Sequence, residues 1–231
     1  MTRAVVPRPA ATVVLLRPSA DPTAGPLEVL LTQRPATMAF GPGLHVFPGG
    51  ALDAGDSDPR LVARSRVGDP HRIAALRELF EEAGVLIADR ADGLPAGSDH
   101  GLAAELPALR ASLVAGSLDL AAILERLELT LATDRLAYIA RWQTPPAYPR
   151  RFDTWFFAVE LPAGAILDLD PHEVAGHAWM TPRSALAALT AGEIELWPPT
   201  FTTLRLLEHV PDVAAIRSGL VLDPASPGSS G

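Results

Sequence analysis

The chain has 231 residues, 48% of them hydrophobic, and a formal net charge of −8. That length fits one large domain or one domain with an elaborated insertion. The acidic balance argues against a nucleic-acid polymer as partner, because such binding draws its affinity from neutralised phosphates. Cysteine is absent, which excludes disulfides, thiolate metal sites and a cysteine nucleophile. No apolar run is long enough for a bilayer and no basic, signal-like start precedes an apolar segment, so the expectation is a soluble cytoplasmic protein with no membrane partner.

Residues 10–16 are β-branched and aliphatic and read as a strand, ended by Pro18. A turn-rich stretch, 19–26, leads to a paired strand over 27–34. The glycine- and proline-rich loop 40–44 then delivers the chain into His45-Val46-Phe47-Pro48-Gly49-Gly50, a short extended segment closed by two glycines. Residues 51–69 are polar, with a helical turn around 60–66. Asp69 and Pro70 form a helix start, as N-cap and first helical residue, and Gly84 is the matching C-terminal cap. Two helices follow near 101–115 and 118–127, their apolar spacing a packing pattern. Strand character returns at 135–143 and 154–159, around a proline-rich loop that holds Arg150 and Arg151. Residues 177–180 read as a strand, 182–189 as a helix, and 199–209 as a final helix extended by 213–216. The tail from Asp223 has the composition of a disordered segment. With no repeat or linker in view, residues 1–222 read as one domain with a helical insertion at about 100–131, followed by the tail 223–231. The class is α+β, an α/β/α sandwich around a mixed sheet.

The helix from 70 to 84 carries the chemistry. At about 100° per residue, Ile73, Leu76, Leu79, Phe80 and Ala83 share one arc, and Glu78, Glu81 and Glu82 share the opposite side. Like charges at these spacings repel by a few tenths of a kcal/mol per pair. They also crowd the helix C-terminus, where cations are favoured. Most glutamate-rich faces are solvated surface, but an arrangement unfavourable in two ways points to a missing cation. Oxygen-only ligands favour Mg²⁺ or Mn²⁺.

The stretch Arg77-Glu78-Leu79-Phe80-Glu81-Glu82-Ala83-Gly84-Val85 resembles the second half of the Nudix box. The first half starts at Gly50 and has Asp56 where the family has a glutamate, with twenty residues rather than seven before Arg77. The segment 45–53, the lengthened box and Arg151-Phe152-Asp153-Thr154 look like the CoA-diphosphatase branch with an interrupted box. Leu30-Leu31-Thr32-Gln33-Arg34 leading to Phe47-Pro48-Gly49-Gly50 matches most of a CoA-associated motif, which has an arginine where this chain has Ala39.

The resemblance implies a Nudix fold and metal-dependent hydrolysis of a diphosphate bridge in a small nucleotide-derived substrate. CoA or acyl-CoA leads; ADP-ribose, a dinucleotide or another nucleoside-diphosphate derivative is the alternative, and a non-catalytic nucleotide-binding regulator a second. It further implies Glu78, Glu81, Glu82 and the Gly49 carbonyl as metal ligands, with Arg77 orienting a glutamate. Gly49 and Gly50 would let the backbone approach phosphates closely, and Arg34, Arg150 and Arg151 are candidate phosphate contacts. The general base is either a box glutamate or Glu173, with His172 and His177 as further candidates. Trp155, Phe156 and Phe157 read as core or pocket wall. Many relatives are dimers, but no residue here marks an interface.

Overall fold

A computed structural model of the protein describes residues 5–38 and 41–218; Ala39 and the tail from Asp223 lie outside them. In chain order come β1 (Arg8–Pro18), β2 (Leu27–Gln33), β3 (His45–Val46), β4 (Gly49–Ala51), α1 (Pro59–Ala63) and α2 (Pro70–Ala83). Then follow β5 (Ala88–Asp89), α3 (His100–Val114), α4 (Leu120–Arg126), β6 (Thr130–Leu131), β7 (Ala137–Gln143) and β8 (Phe152–Glu160). β9 (Gly176–Met180), α5 (Pro182–Ala191), α6 (Pro198–Leu207) and α7 (Val213–Arg217) complete the described part.

Strand β1 is an aliphatic run because both its faces are covered. Ala11, Val13 and Leu15 point into one core layer and Val14 and Leu16 into the other, all fully buried. On the first side lie α2, α3 and α4 with Phe157 and Val159 of β8; on the second lie α5, α6 and α7 with Phe156 and Ala158. This is the expected α/β/α sandwich. The sheet is mixed: β1 runs parallel to β8 over its length, while its other pairings are antiparallel.

One irregularity of the sheet builds the site. β1 and β2 pair only at their turn-proximal ends, Leu16–Pro18 with Leu27–Val29. Farther along they part, and the 45–51 segment fills the gap, with β3 on β2 and β4 on β1. The Val13 N–H donates to the Pro48 carbonyl at 2.9 Å, so even the link between the two short strands is tied in. Gly49 and Gly50 thereby reach the middle of the sheet.

Helix α2 begins and ends as its sequence dictates. The Asp69 side chain accepts from the Arg72 N–H at 3.0 Å, Pro70 opens the helix, and Gly84 caps it at φ 70°. Ile73, Leu76, Leu79, Phe80 and Ala83 are buried against the sheet. Elsewhere two expectations change, and one small sheet is new. The turn around 60–66 is a shorter helix, α1, started by Asp58 and Pro59. Residues 213–216 do not extend α6 but form α7, whose Asp212 cap accepts from the Ala215 N–H at 2.7 Å. β5 and β6 form a second, two-stranded sheet that a run of two residues is too short to signal.

Candidate active site

Helix α2 lays Glu78, Glu81 and Glu82 over β4. Fit is close enough that a Cβ at Gly50 would land on the Glu78 carboxylate. One at Gly49 would meet the Ala11 carbonyl at 2.5 Å and Thr12 Cα at 2.7 Å. A side chain at Gly49 would therefore have to displace the backbone of β1, and one at Gly50 would have to turn the Glu78 carboxylate aside. The Gly49 N–H points at Glu82 Oε1, 3.4 Å away.

Arg77 is 8% exposed, and all five of its N–H groups are used. Nε and Nη2 hold Asp56 bidentately at 2.8 and 3.0 Å, and Nη2 also donates to the Ala51 carbonyl at 3.2 Å. Nη1 bridges Glu78 Oε1 at 2.9 Å and Glu81 Oε2 at 2.8 Å. Asp56, fully buried, also accepts from the Asp53 N–H at 2.9 Å. Asp56 thus reaches Arg77, and both its oxygens are occupied there.

The electrostatics are those of a site short of positive charge. Burial pushes Glu78 up to about 7 against the pull of Arg77, with Glu81 and Glu173 adding repulsion. Glu81 is raised by burial, opposed by Arg77, with Asp53 and Asp56 contributing further. Glu82 stands well above the usual carboxylate range, first from burial and then from the charges of Glu78 and Glu173; the Gly49 N–H and Arg34 oppose this. Among the described residues no three acidic or histidine side chains converge closely enough to enclose an ion as they stand. Still, the donor set is hard oxygen, mutually repelling and half-buried, which is the chemistry that suits a divalent cation.

Two other expected residues join this cluster. Glu173, on the exposed turn before β9, acts on both Glu78 and Glu82. Arg34, at the end of β2, acts on Glu82 and lines a cavity beside Gly49 whose walls include Thr12, Phe47, Trp142, Phe156 and Trp197.

The arginine loop needs correction. Arg151 is 8% exposed and donates from Nε and Nη1 to the Thr144 and Val5 carbonyls at 2.9 and 2.7 Å, so these two groups brace the loop rather than stand open to a phosphate. Arg150 is exposed on the same loop. His172 and His177 are exposed. Trp155 stacks on His71 at 4.5 Å, packed toward α2, and Phe157 is core; only Phe156 of that trio faces the cavity. Sequence reading missed Trp142 and Trp197, which lie far apart in the chain with nothing in their spacing to join them. It also missed Arg110, although an arginine between Leu106, Leu109 and Leu113 interrupts an apolar stripe and was a visible signal.

The family model described as the NUDT19 Nudix domain matches residues 67–207, and that of the NUDIX domain matches residues 6–100. The acyl-coenzyme A diphosphatase NUDT19 of Homo sapiens is 32% identical, over 83% of this chain and 63% of its own length. Its Gallus gallus counterpart is 29% identical, over 77% and 60% respectively. The chain thus spans about three fifths of the length of these curated relatives. A crystal structure of a NUDIX hydrolase from Alicyclobacillus acidocaldarius is 30% identical and superposes with a TM-score of 0.81, covering 95% of this chain and 99% of that one. The chain belongs to the Nudix hydrolase family, in the branch described by the NUDT19 Nudix domain.

Proposed function

We propose that the protein is a Mg²⁺- or Mn²⁺-dependent diphosphatase that acts on CoA or acyl-CoA, releasing adenosine 3′,5′-bisphosphate and a 4′-phosphopantetheine product. The observation that carries this reading is the half-buried glutamate cluster held against Gly49-Gly50, next to a cavity with aromatic walls and one arginine. The substrate choice rests on the likeness to the acyl-coenzyme A diphosphatases and on the motif from Leu30 to Gly50.

Glu78, Glu82 and the Gly49 carbonyl would hold the cation, with Glu81 as a further ligand. A cation held there would supply charge to neutralise the diphosphate and would lower the pKa of attacking water. Glu173, whose charge is felt at Glu78 and Glu82, would take the proton as water attacks one phosphorus. The bridging P–O bond breaks and the bridge oxygen leaves on the other phosphate. Arg77, fully occupied, fixes the rotamers of Glu78 and Glu81. Arg34 offers its charge to the substrate phosphates, and the aromatic walls give a nucleobase a surface to stack on. Among the described residues no helix is long and apolar enough to cross a membrane, in keeping with a small dissolved substrate. A single domain over residues 1–222 and a cytoplasmic setting complete the reading.

The test is incubation with Mg²⁺ or Mn²⁺ and, separately, CoA, an acyl-CoA, ADP-ribose, NADH and nucleoside triphosphates, with products identified by mass. CoA or acyl-CoA is expected to be cleaved fastest. Preferred cleavage of ADP-ribose overturns the substrate, and thermal stabilisation by a ligand without turnover overturns the enzyme in favour of a binding module.

A further inference from the structure

An α-helix leaves its last four carbonyls without intrahelical partners. In α2 these belong to Phe80, Glu81, Glu82 and Ala83, the turn that carries two of the site's carboxylates. Only the first is satisfied locally, by the Gly84 N–H at 3.0 Å. The Glu82 carbonyl accepts from the Asp170 N–H and the Ala83 carbonyl from the Asp168 N–H, both at 3.0 Å. The Glu81 carbonyl accepts from Arg110 Nε at 2.8 Å, and Arg110 Nη1 holds Asp168 Oδ2 at 2.7 Å.

Arg110 therefore ties together the end of the helix and the segment lying against it. That segment runs on into Glu173: the Asp170 carbonyl accepts from the Glu173 and Val174 N–H groups at 3.2 and 2.8 Å, and its side chain accepts from the His172 N–H at 2.8 Å. The Arg110 side chain is 8% exposed, and its charge sits where a helix C-terminus favours a cation. Leu106, Leu109 and Leu113 seat its helix in the core.

We propose that Arg110 is a positioning residue for the diphosphatase site: it sets Glu81, Glu82 and the Glu173 turn relative to one another by closing the end of α2. The proposal rests on the reading above, because it needs those carboxylates to be the working groups. A misplacement on the order of 1 Å can cost about a hundredfold in rate, and loss of a group that orients metal ligands about 10- to 100-fold in metal affinity.

Two variants separate positioning from plain stability. Arg110→Met removes the tie. Arg72→Met removes an equivalent one at the other end of α2, where Arg72 Nη1 donates to the Thr133 and Leu136 carbonyls at 2.9 and 2.6 Å. Arg110→Met is expected to lower kcat about 10- to 100-fold with KM within about threefold, and to weaken Mn²⁺ binding about tenfold. Arg110→Lys, which keeps a cationic donor, is expected to recover part of both losses. Arg72→Met is expected to lower Tm while kcat and Mn²⁺ affinity stay within about twofold. A folded Arg110→Met with unchanged kcat and Mn²⁺ affinity overturns the proposal, as does an equal loss in Arg72→Met. If Arg110→Met does not fold, Asp168→Ala breaks the tie from its other side and is judged by the same readouts. Should the wild type cleave no diphosphate, the functional reading fails, while Mn²⁺ affinity still judges the role of Arg110.

Discussion

Glu78, Glu81 and Glu82 reach the site from two successive turns of α2, whereas Asp56 reaches it from outside that helix, across a break of twenty residues. In the first case the placement is local: helical periodicity alone gathers the apolar residues on one face and the three carboxylates on another. In the second, a short 3-10 turn at Gly55–Ser57 turns the chain and brings Asp56 under Arg77, where it is fully buried. On the proposed function the first group would work through its own carboxylates, and the second by holding Arg77 beside them. Spacing can thus be relaxed where a residue only has to arrive, but not where three residues must share one face.

The sharpest way to break this contrast is to remove charge from the first group. Glu82→Gln is expected to lower turnover by about two to four orders of magnitude, within the range that a reacting or metal-holding group contributes. Its fold should survive, since the change also removes repulsion from Glu78 and Glu173. Wild-type turnover would take Glu82 out of the site.

Asp56→Ala tests the second group and should read out mainly as stability. It leaves the buried Arg77 guanidinium without its bidentate partner, at a cost of about 3–5 kcal/mol, measurable by urea unfolding. An effect under about 1 kcal/mol would mean that Arg77 finds another partner and that the far half of the motif is dispensable.

Protonation sharpens the contrast further. Glu78 has a folded pKa of about 7 against an ordinary 4.5. Folded protein without metal therefore keeps a proton that the unfolded chain loses first. The stability this contributes is fully present below about 4.5 and is lost as the pH rises through about 7. In EDTA, Tm should decline across that window, and Mn²⁺ should restore it most at the high end. A flat profile, or no effect of Mn²⁺, would argue against a cation at these carboxylates.

The smallest effect belongs to the far end of the helix. Asp69→Ala removes an N-cap worth about 1 kcal/mol and should leave kcat nearly unchanged, because Asp69 caps the opposite end of α2 from the turn that carries Glu81 and Glu82. A large loss of activity would show that the whole helix, rather than its final turn, positions the site.

Much of this was legible from residue order. The caps at Asp69 and Gly84, the apolar arc of α2, the self-repelling glutamates and the glycine pair each follow from chemistry within a few neighbouring residues. So do the strands rich in valine and leucine, and the expectation of helices on both sides of a mixed sheet. Arg151 lies beyond the reach of such local reasoning. A loop arginine looks free in sequence, and only the fold shows the carbonyls of Val5 and Thr144 waiting for it.

What the sequence by itself determined is the set of groups on α2 and their common face, because a 3.6-residue period needs no tertiary partner to be specified. What only the tertiary structure decided is which distant groups meet them: the parting of β1 from β2 that admits Gly49 and Gly50, Asp56 beneath Arg77, Trp142 and Trp197 around Arg34, and Arg110 at the helix end. Those meetings depend on strand register and on where buried polar groups find partners, and both are settled by packing the whole core at once.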